Sequence, residues 1–77
     1  MKKLTKEELG ILCYLCKGYN NSDIAKEIYK SVHTIKIYVS VILRKLNAKN
    51  RTEAVFKVCQ DEELMAWIMN EINNTQE

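Results

Sequence analysis

The sequence predicts an all-α fold, a bundle of four short helices followed by an additional C-terminal helix. Three observations lead there. The 77 residues include no Pro and only two Gly, Gly10 and Gly18, too few for the tight turns of a sheet-rich domain. Between polar punctuation points, apolar residues recur in steps of three and four. Each apolar run is preceded by a residue suited to helix capping. A chain of this length is one domain. It buries only roughly 60% of its unfolded surface, so dimerisation or close helix packing would help it.

Thr5-Lys6-Glu7-Glu8 reads as a capping box, with a Thr cap and a Glu three residues later. It predicts a helix over about residues 6–17, with Leu9, Leu12, Leu15 and Cys16 as its inner stripe, Cys13 at the rim, and Gly18 closing it in a left-handed conformation. Asn20 or Asn21 caps the second helix, about 21–29, and Asp23 suits its first turn; Ile24, Ala25 and Ile28 are its buried stripe. Ser31 caps a third helix over 32–46, and Asn47 tolerates the left-handed position after it. Asn50-Arg51-Thr52-Glu53 is a second capping box, opening a fourth helix over 51–60 with Ala54, Val55, Val58 and Cys59. Asp61-Glu62-Glu63 places acids at the positive end of a fifth helix, about 62–73. That helix carries Leu64, Met65, Ile68, Met69 and Ile72 beside Trp67, and residues 73–77 are expected to fray.

The third helix has two apolar faces. Ile35, Val39, Ile42 and Leu46 form one stripe, yet Ile37 and Val41 lie off it among Lys36, Ser40, Arg44 and Lys45. A solvated face would carry charges there instead. A short helix joined by a few residues to a longer one is a helix-turn-helix, whose second helix enters the major groove of DNA. Such a helix needs one face for the domain and one for DNA. On the second, apolar atoms meet thymine methyl groups while Lys and hydroxyl residues reach base acceptors and phosphates. Lys36, Ile37, Ser40 and Arg44 suit that face.

Residues 4–59 resemble the LuxR/GerE-type helix-turn-helix DNA-binding domain. The family pattern runs G-x-x-N-x-x-I-A, S-x-x-T-V-K-x-H, I-x-x-K-L and N-R-T-E-A. Here stand Gly18, Asn21, Ile24-Ala25, then Ser31, Thr34-Ile35-Lys36, then Ile42, Lys45-Leu46, and Asn50-Arg51-Thr52-Glu53-Ala54. The resemblance implies base-edge contacts at Lys36, Ile37 and Ser40, and phosphate contacts at Thr34, Tyr38, Arg44, Lys45, Asn50 and Arg51. It also implies that the fourth helix helps pair two domains on a two-fold symmetric site. The sequence departs from the pattern at Tyr38, where His is common. Gly10 replaces a usual Glu and weakens the first helix by about 1 kcal/mol relative to Ala. Val41 replaces a polar residue, and Asn47 replaces Gly.

The net charge of +2 conceals an asymmetry. Residues 1–59 hold all twelve bases against five acids, a net of +7, and residues 60–77 hold the other five acids and no base. A basic body suits a polyanion; an acidic end suits a separate job. Lys2 and Lys3 before "LGILCYLC" mimic a signal peptide, but Glu7 and Glu8 interrupt it and no small-residue cleavage site follows. The run is too short to span a membrane. The expected location is the cytoplasm.

Other chemistry is weaker. Cys13-Tyr-Leu-Cys16 is a C-x-x-C with Cys59 and His33 as further candidate ligands. A redox pair wants its thiolate at a helix N-terminus, and a structural zinc site brings a second ligand pair at close spacing. Neither condition is met, so free thiols and no metal or other cofactor are expected. His33 has no nucleophile or orienting partner, so no enzyme activity is expected. Tyr14, Tyr19, Tyr29 and Tyr38 fall at unrelated spacings and make a poor stacking platform.

The fifth helix either folds back on the first and fourth or extends a dimer interface through Val55, Phe56, Cys59, Met65, Trp67 and Met69; the second reading is preferred. The organisation expected is a DNA-binding domain over residues 1–60 and an acidic amphipathic helix over 61–77. The function expected is sequence-specific, double-stranded DNA binding by a bacterial transcriptional regulator, with the third helix in the major groove. It would act as a homodimer on half-sites about one helical turn apart. If the chain is the whole regulator, its activity is set by its amount or by a partner. The alternative is a protein-interaction module that binds and modulates another transcription regulator.

Overall fold

The computed structural model describes residues 4–74; residues 1–3, with the basic pair Lys2 and Lys3, and residues 75–77 lie outside the described part. The elements are α1 (Lys6–Cys16), α2 (Asn21–Ile28), α3 (Val32–Leu46), α4 (Arg51–Gln60) and α5 (Glu62–Asn74). No strand occurs among the described residues. The bounds of α3 and α4 are those the sequence predicts. α1 and α2 each end one residue early, and α5 continues through Asn74 where fraying was expected.

Caps explain these bounds. Thr5 Oγ1 accepts the Glu8 N–H at 3.2 Å and Glu8 Oε1 accepts the Thr5 N–H at 2.8 Å, the reciprocal box that the sequence announced. Asn20, not Asn21, caps α2, and Asp23 returns the bond to the Asn20 N–H. Asn50 caps α4 through the Glu53 N–H at 2.8 Å, and Asp61 caps α5 through the Leu64 N–H at 3.0 Å. Three helices close with a left-handed residue, Gly18 (φ 87°), Tyr29 (φ 57°) and Asn47 (φ 57°). In each case the next N–H reaches back five residues to a carbonyl, as in Lys30 to Ala25, which satisfies groups the helix end leaves open. Tyr29 is the unexpected member of the set.

One core joins all five helices. Leu12, Ile24, Ile35, Ile42, Ala54, Val58 and Ile68 have no exposed surface. Ile68 belongs to α5, and Leu64, Met65, Trp67 and Ile72 pack around the same core. The fifth helix therefore does fold back, on α1 and α4. The inner stripe of α1 differs from the expected one. Glu8, Ile11, Leu12 and Leu15 point inward, while Leu9 and Cys16 are only half-buried. Cys13, expected at the rim, is buried. Two contacts rotate the stripe: Glu8 is drawn in by Lys45, and Cys13 faces a cleft closed by Glu71 and Ile72 of α5.

Candidate nucleic-acid interface

A helix advances about 100° per residue. On α3 this gathers Ile35, Val39, Ile42 and Leu46 on one side, all buried, and His33, Lys36, Ile37, Ser40 and Arg44 on the other, all exposed. α1 and α2 pack against the buried side, so the outer stripe points away from the domain. Ile37 is 54% exposed although it is a large apolar side chain. Val41 is half-buried at the edge of the stripe. α3 contains Lys36, Arg44 and Lys45 and no acid. Its start is held by Ser31, whose Oγ accepts the Thr34 N–H at 3.1 Å and donates to Thr34 Oγ1 at 3.0 Å. The structure thus brings the three base-contact candidates, Lys36, Ile37 and Ser40, onto one open surface with Arg44.

The remaining phosphate candidates are tied into the domain. Lys45 Nζ lies 2.8 Å from Glu8 Oε1. Lys45 and the Thr5 amide hold the Glu8 carboxyl below its ordinary range, against the opposing effect of burial. Arg51 Nη1 donates to the Tyr19 carbonyl at 3.3 Å and Nη2 to Asn21 Oδ1, fastening the start of α4 to the α1–α2 turn. Asn50 spends its side-chain oxygen on the α4 cap. The Tyr38 hydroxyl donates to Glu7 Oε1 at 3.3 Å, and the Glu7 charge pushes the phenol up.

Sequence reasoning passed over three residues that position this surface. Lys57 Nζ donates to the Asn47 carbonyl at 2.6 Å and the Leu46 carbonyl at 3.3 Å, closing the end of α3. Asn21 receives Arg51; its signal was its place in the matched motif. Glu8 anchors Lys45 from 37 residues away, and no local pattern reports a pairing at that distance.

The dimer candidates divide. Phe56 (61%) and Met69 (44%) are exposed, as is Cys59, while Val55, Met65 and Trp67 are half-buried; Met65 and Trp67 pack on the core. Burial pushes the Cys16 thiol up to about 11 and raises Cys13 as well, the opposite of the activation a redox thiol needs. No group of three or more His, Cys, Asp or Glu able to hold a metal occurs among the described residues. Tyr14 and Tyr19 do pair, with ring centroids 5.1 Å apart and Lys17 over both. They brace the α1–α2 corner.

Residues 2–58 match the family described as bacterial regulatory proteins, luxR family. The chain is 40% identical over 53 residues to the transcriptional regulatory protein LiaR of Bacillus subtilis, covering 69% of this chain and 25% of that protein. It is 42% identical over 57 residues to the response regulator protein VraR of Staphylococcus aureus and of Staphylococcus epidermidis, covering 74% of this chain and 27% of each. The matches thus span about a quarter of the length of these curated relatives. With its matched motifs standing at the caps, turns and inner faces of α1 to α4, this chain belongs to the luxR family of bacterial regulatory proteins.

Proposed function

We propose that the chain is a sequence-specific, double-stranded DNA-binding regulator of transcription that lays α3 in the major groove and acts as a homodimer. One observation carries the reading. The inner face of α3 is anchored in the core, while its outer face presents Lys36, Ile37, Ser40 and Arg44 to solvent with no acid on the helix. In the groove, Lys36 reaches base acceptors, Ser40 pairs with either a donor or an acceptor, and Ile37 meets thymine methyl groups. Arg44 and the Tyr38 hydroxyl take phosphates on either side, and Thr34, at the positive start of α3, is placed for a third. Lys45, Asn50 and Arg51 add their charge and polarity to the same flank while holding α3 and α4 in position. Similarity to proteins named as a transcriptional regulatory protein and a response regulator supports this role.

In this reading residues 1–60 form the DNA-binding domain and 61–77 complete its core and the pairing surface. Phe56 and Cys59 lie on the exposed side of α4, away from Ala54 and Val58, with half-buried Val55 at its edge, and would meet their counterparts across a two-fold axis. Met69 adds to that surface from α5, with Met65 and Trp67 behind it. The reading includes no catalytic step and no cofactor, and its location is the cytoplasm, where the DNA is. No helix among the described residues is long and apolar enough to cross a membrane.

Selection from a random duplex pool, run on the wild type and on Lys36→Ala, tests the proposal. The wild type should enrich a two-fold symmetric motif that the variant loses or relaxes. Enrichment of nothing, with weak binding even at low salt, would turn attention to a second reading. That reading is a module that docks on another transcription regulator, favoured by the exposure of Phe56 beside an acidic C-terminal helix. Co-purification of a heteromer would then be the expected result.

A further inference from the structure

Resting on the DNA-binding reading, we propose that Glu7 is an affinity-limiting residue of the DNA-binding face: its carboxylate competes with a DNA phosphate for the hydroxyl proton of Tyr38.

Tyr38 sits on the flank of α3 and donates its hydroxyl to Glu7 Oε1 at 3.3 Å. A phenol has one proton to donate. A phosphate oxygen arriving at Tyr38 must therefore displace the carboxylate as the acceptor of that proton, and it brings a second negative charge to the same spot. The Glu7 backbone is held in place. It lies between Thr5 and Glu8, which cap each other, and Glu8 is fixed to Lys45 on α3. Only the Glu7 side chain can swing aside. The two side chains also share the wall of a cleft of about 360 Å³ between α1 and the α2–α3 turn, with Tyr14, Ile28 and Lys30 on its other sides. The Glu7 charge raises the pKa of the Tyr38 phenol, so the carboxylate is felt at the oxygen that would meet the phosphate.

The consequence is a helix whose phosphate donor is aimed before DNA arrives, at the expense of part of the affinity. Phosphate contacts supply most of the binding to any sequence, so this penalty limits occupancy of DNA in general. Base contacts from Lys36, Ile37 and Ser40 must make up the difference.

The test is equilibrium binding of the full chain to a labelled duplex across a range of salt. The proteins compared are the wild type, Glu7→Gln, Tyr38→Phe and the double variant, with Glu7→Ala as a second removal of the charge. Glu7→Gln should tighten binding about three- to tenfold at low salt, with the gain shrinking as salt rises. Tyr38→Phe should weaken binding more in the Glu7→Gln background than in the wild type, because a neutral amide oxygen yields the hydroxyl to phosphate more readily than a carboxylate does. Thermal midpoints of Glu7→Gln and wild type should agree. If removing the charge leaves affinity unchanged or lowers it, or if Tyr38→Phe has the same effect in both backgrounds, the bond is merely structural and the proposal fails. If none of the proteins binds duplex even at low salt, the DNA-binding reading fails first and takes this one with it.

Discussion

Lys36 and Arg44 stand on the outer face of α3 with solvent around them, whereas Lys45, Arg51 and Lys57 are bonded back into the domain. All five are basic and lie in a basic part of the chain. What separates them is what each can reach. Lys45 is within reach of a buried carboxylate. Lys57 reaches carbonyls that the end of α3 leaves open. Arg51 reaches a carbonyl in the α1–α2 turn. Lys36 and Arg44 lie on the exposed side of α3, opposite the core. The first set builds the platform that aims the second, so the two sets should fail differently when changed.

The largest effect is expected at the platform. Glu8→Ala removes half of a capping box and leaves Lys45 without its carboxylate, and should lower stability by about 2 kcal/mol in chemical denaturation. The same pair sets an acid limit. Glu8 ionises at lower pH in the folded protein than its ordinary value of 4.5, so its contribution is complete above that value. It is lost as pH falls through the folded value. Wild-type stability should therefore drop below about pH 4.5 more steeply than that of Glu8→Gln. Equal slopes would mean that Lys45 is not bound to Glu8 in solution, and Lys45 would move to the outward set.

The next effect is expected at Lys36. Lys36→Ala should leave the thermal midpoint unchanged and weaken the preferred site by about 1–3 kcal/mol, relaxing sequence preference at one position. A fall in stability with no change in binding would place Lys36 among the platform residues. Arg44→Ala should act on all sequences alike and reduce the slope of log affinity against log salt by about 1. Fluorescence titration on a specific and a scrambled duplex separates the two results.

Much of the architecture was legible in the sequence because helix signals are local. Ser31, Asn47 and Asn50 fix the limits of α3 and of the start of α4, and each acts within five residues of itself. The inner stripe of α3 was equally plain in the steps from Ile35 to Leu46. What could not be read needed contacts between distant elements. The rotation of α1 that buries Cys13 and leaves Cys16 half-exposed follows from α5 on one side and Lys45 on another. The partners of Lys45 and Arg51 within the domain are likewise supplied by distant elements, which the resemblance that assigns these residues to phosphates does not report. The choice between folding back and pairing for α5 also turned on packing: Ile68 has no exposed surface, while Phe56 on α4 remains open.

Tyr29 offers the smallest effect and a way to find where the outward set ends. It closes α2 at φ 57° and is 93% exposed, a conformation that Gly or Asn adopts more readily than Tyr. The ring is largely solvated, so replacing it removes little packing. Tyr29→Asn should raise stability by about 0.5 kcal/mol, or about 2–4 °C in thermal midpoint for a domain of this size. If DNA affinity stays constant, the α2–α3 turn belongs with the platform, and Tyr29 is a correctable strain. If affinity falls while stability rises, the strained conformation holds an aromatic ring where the partner uses it, and the surface beginning at Lys36 extends across the turn to Tyr29.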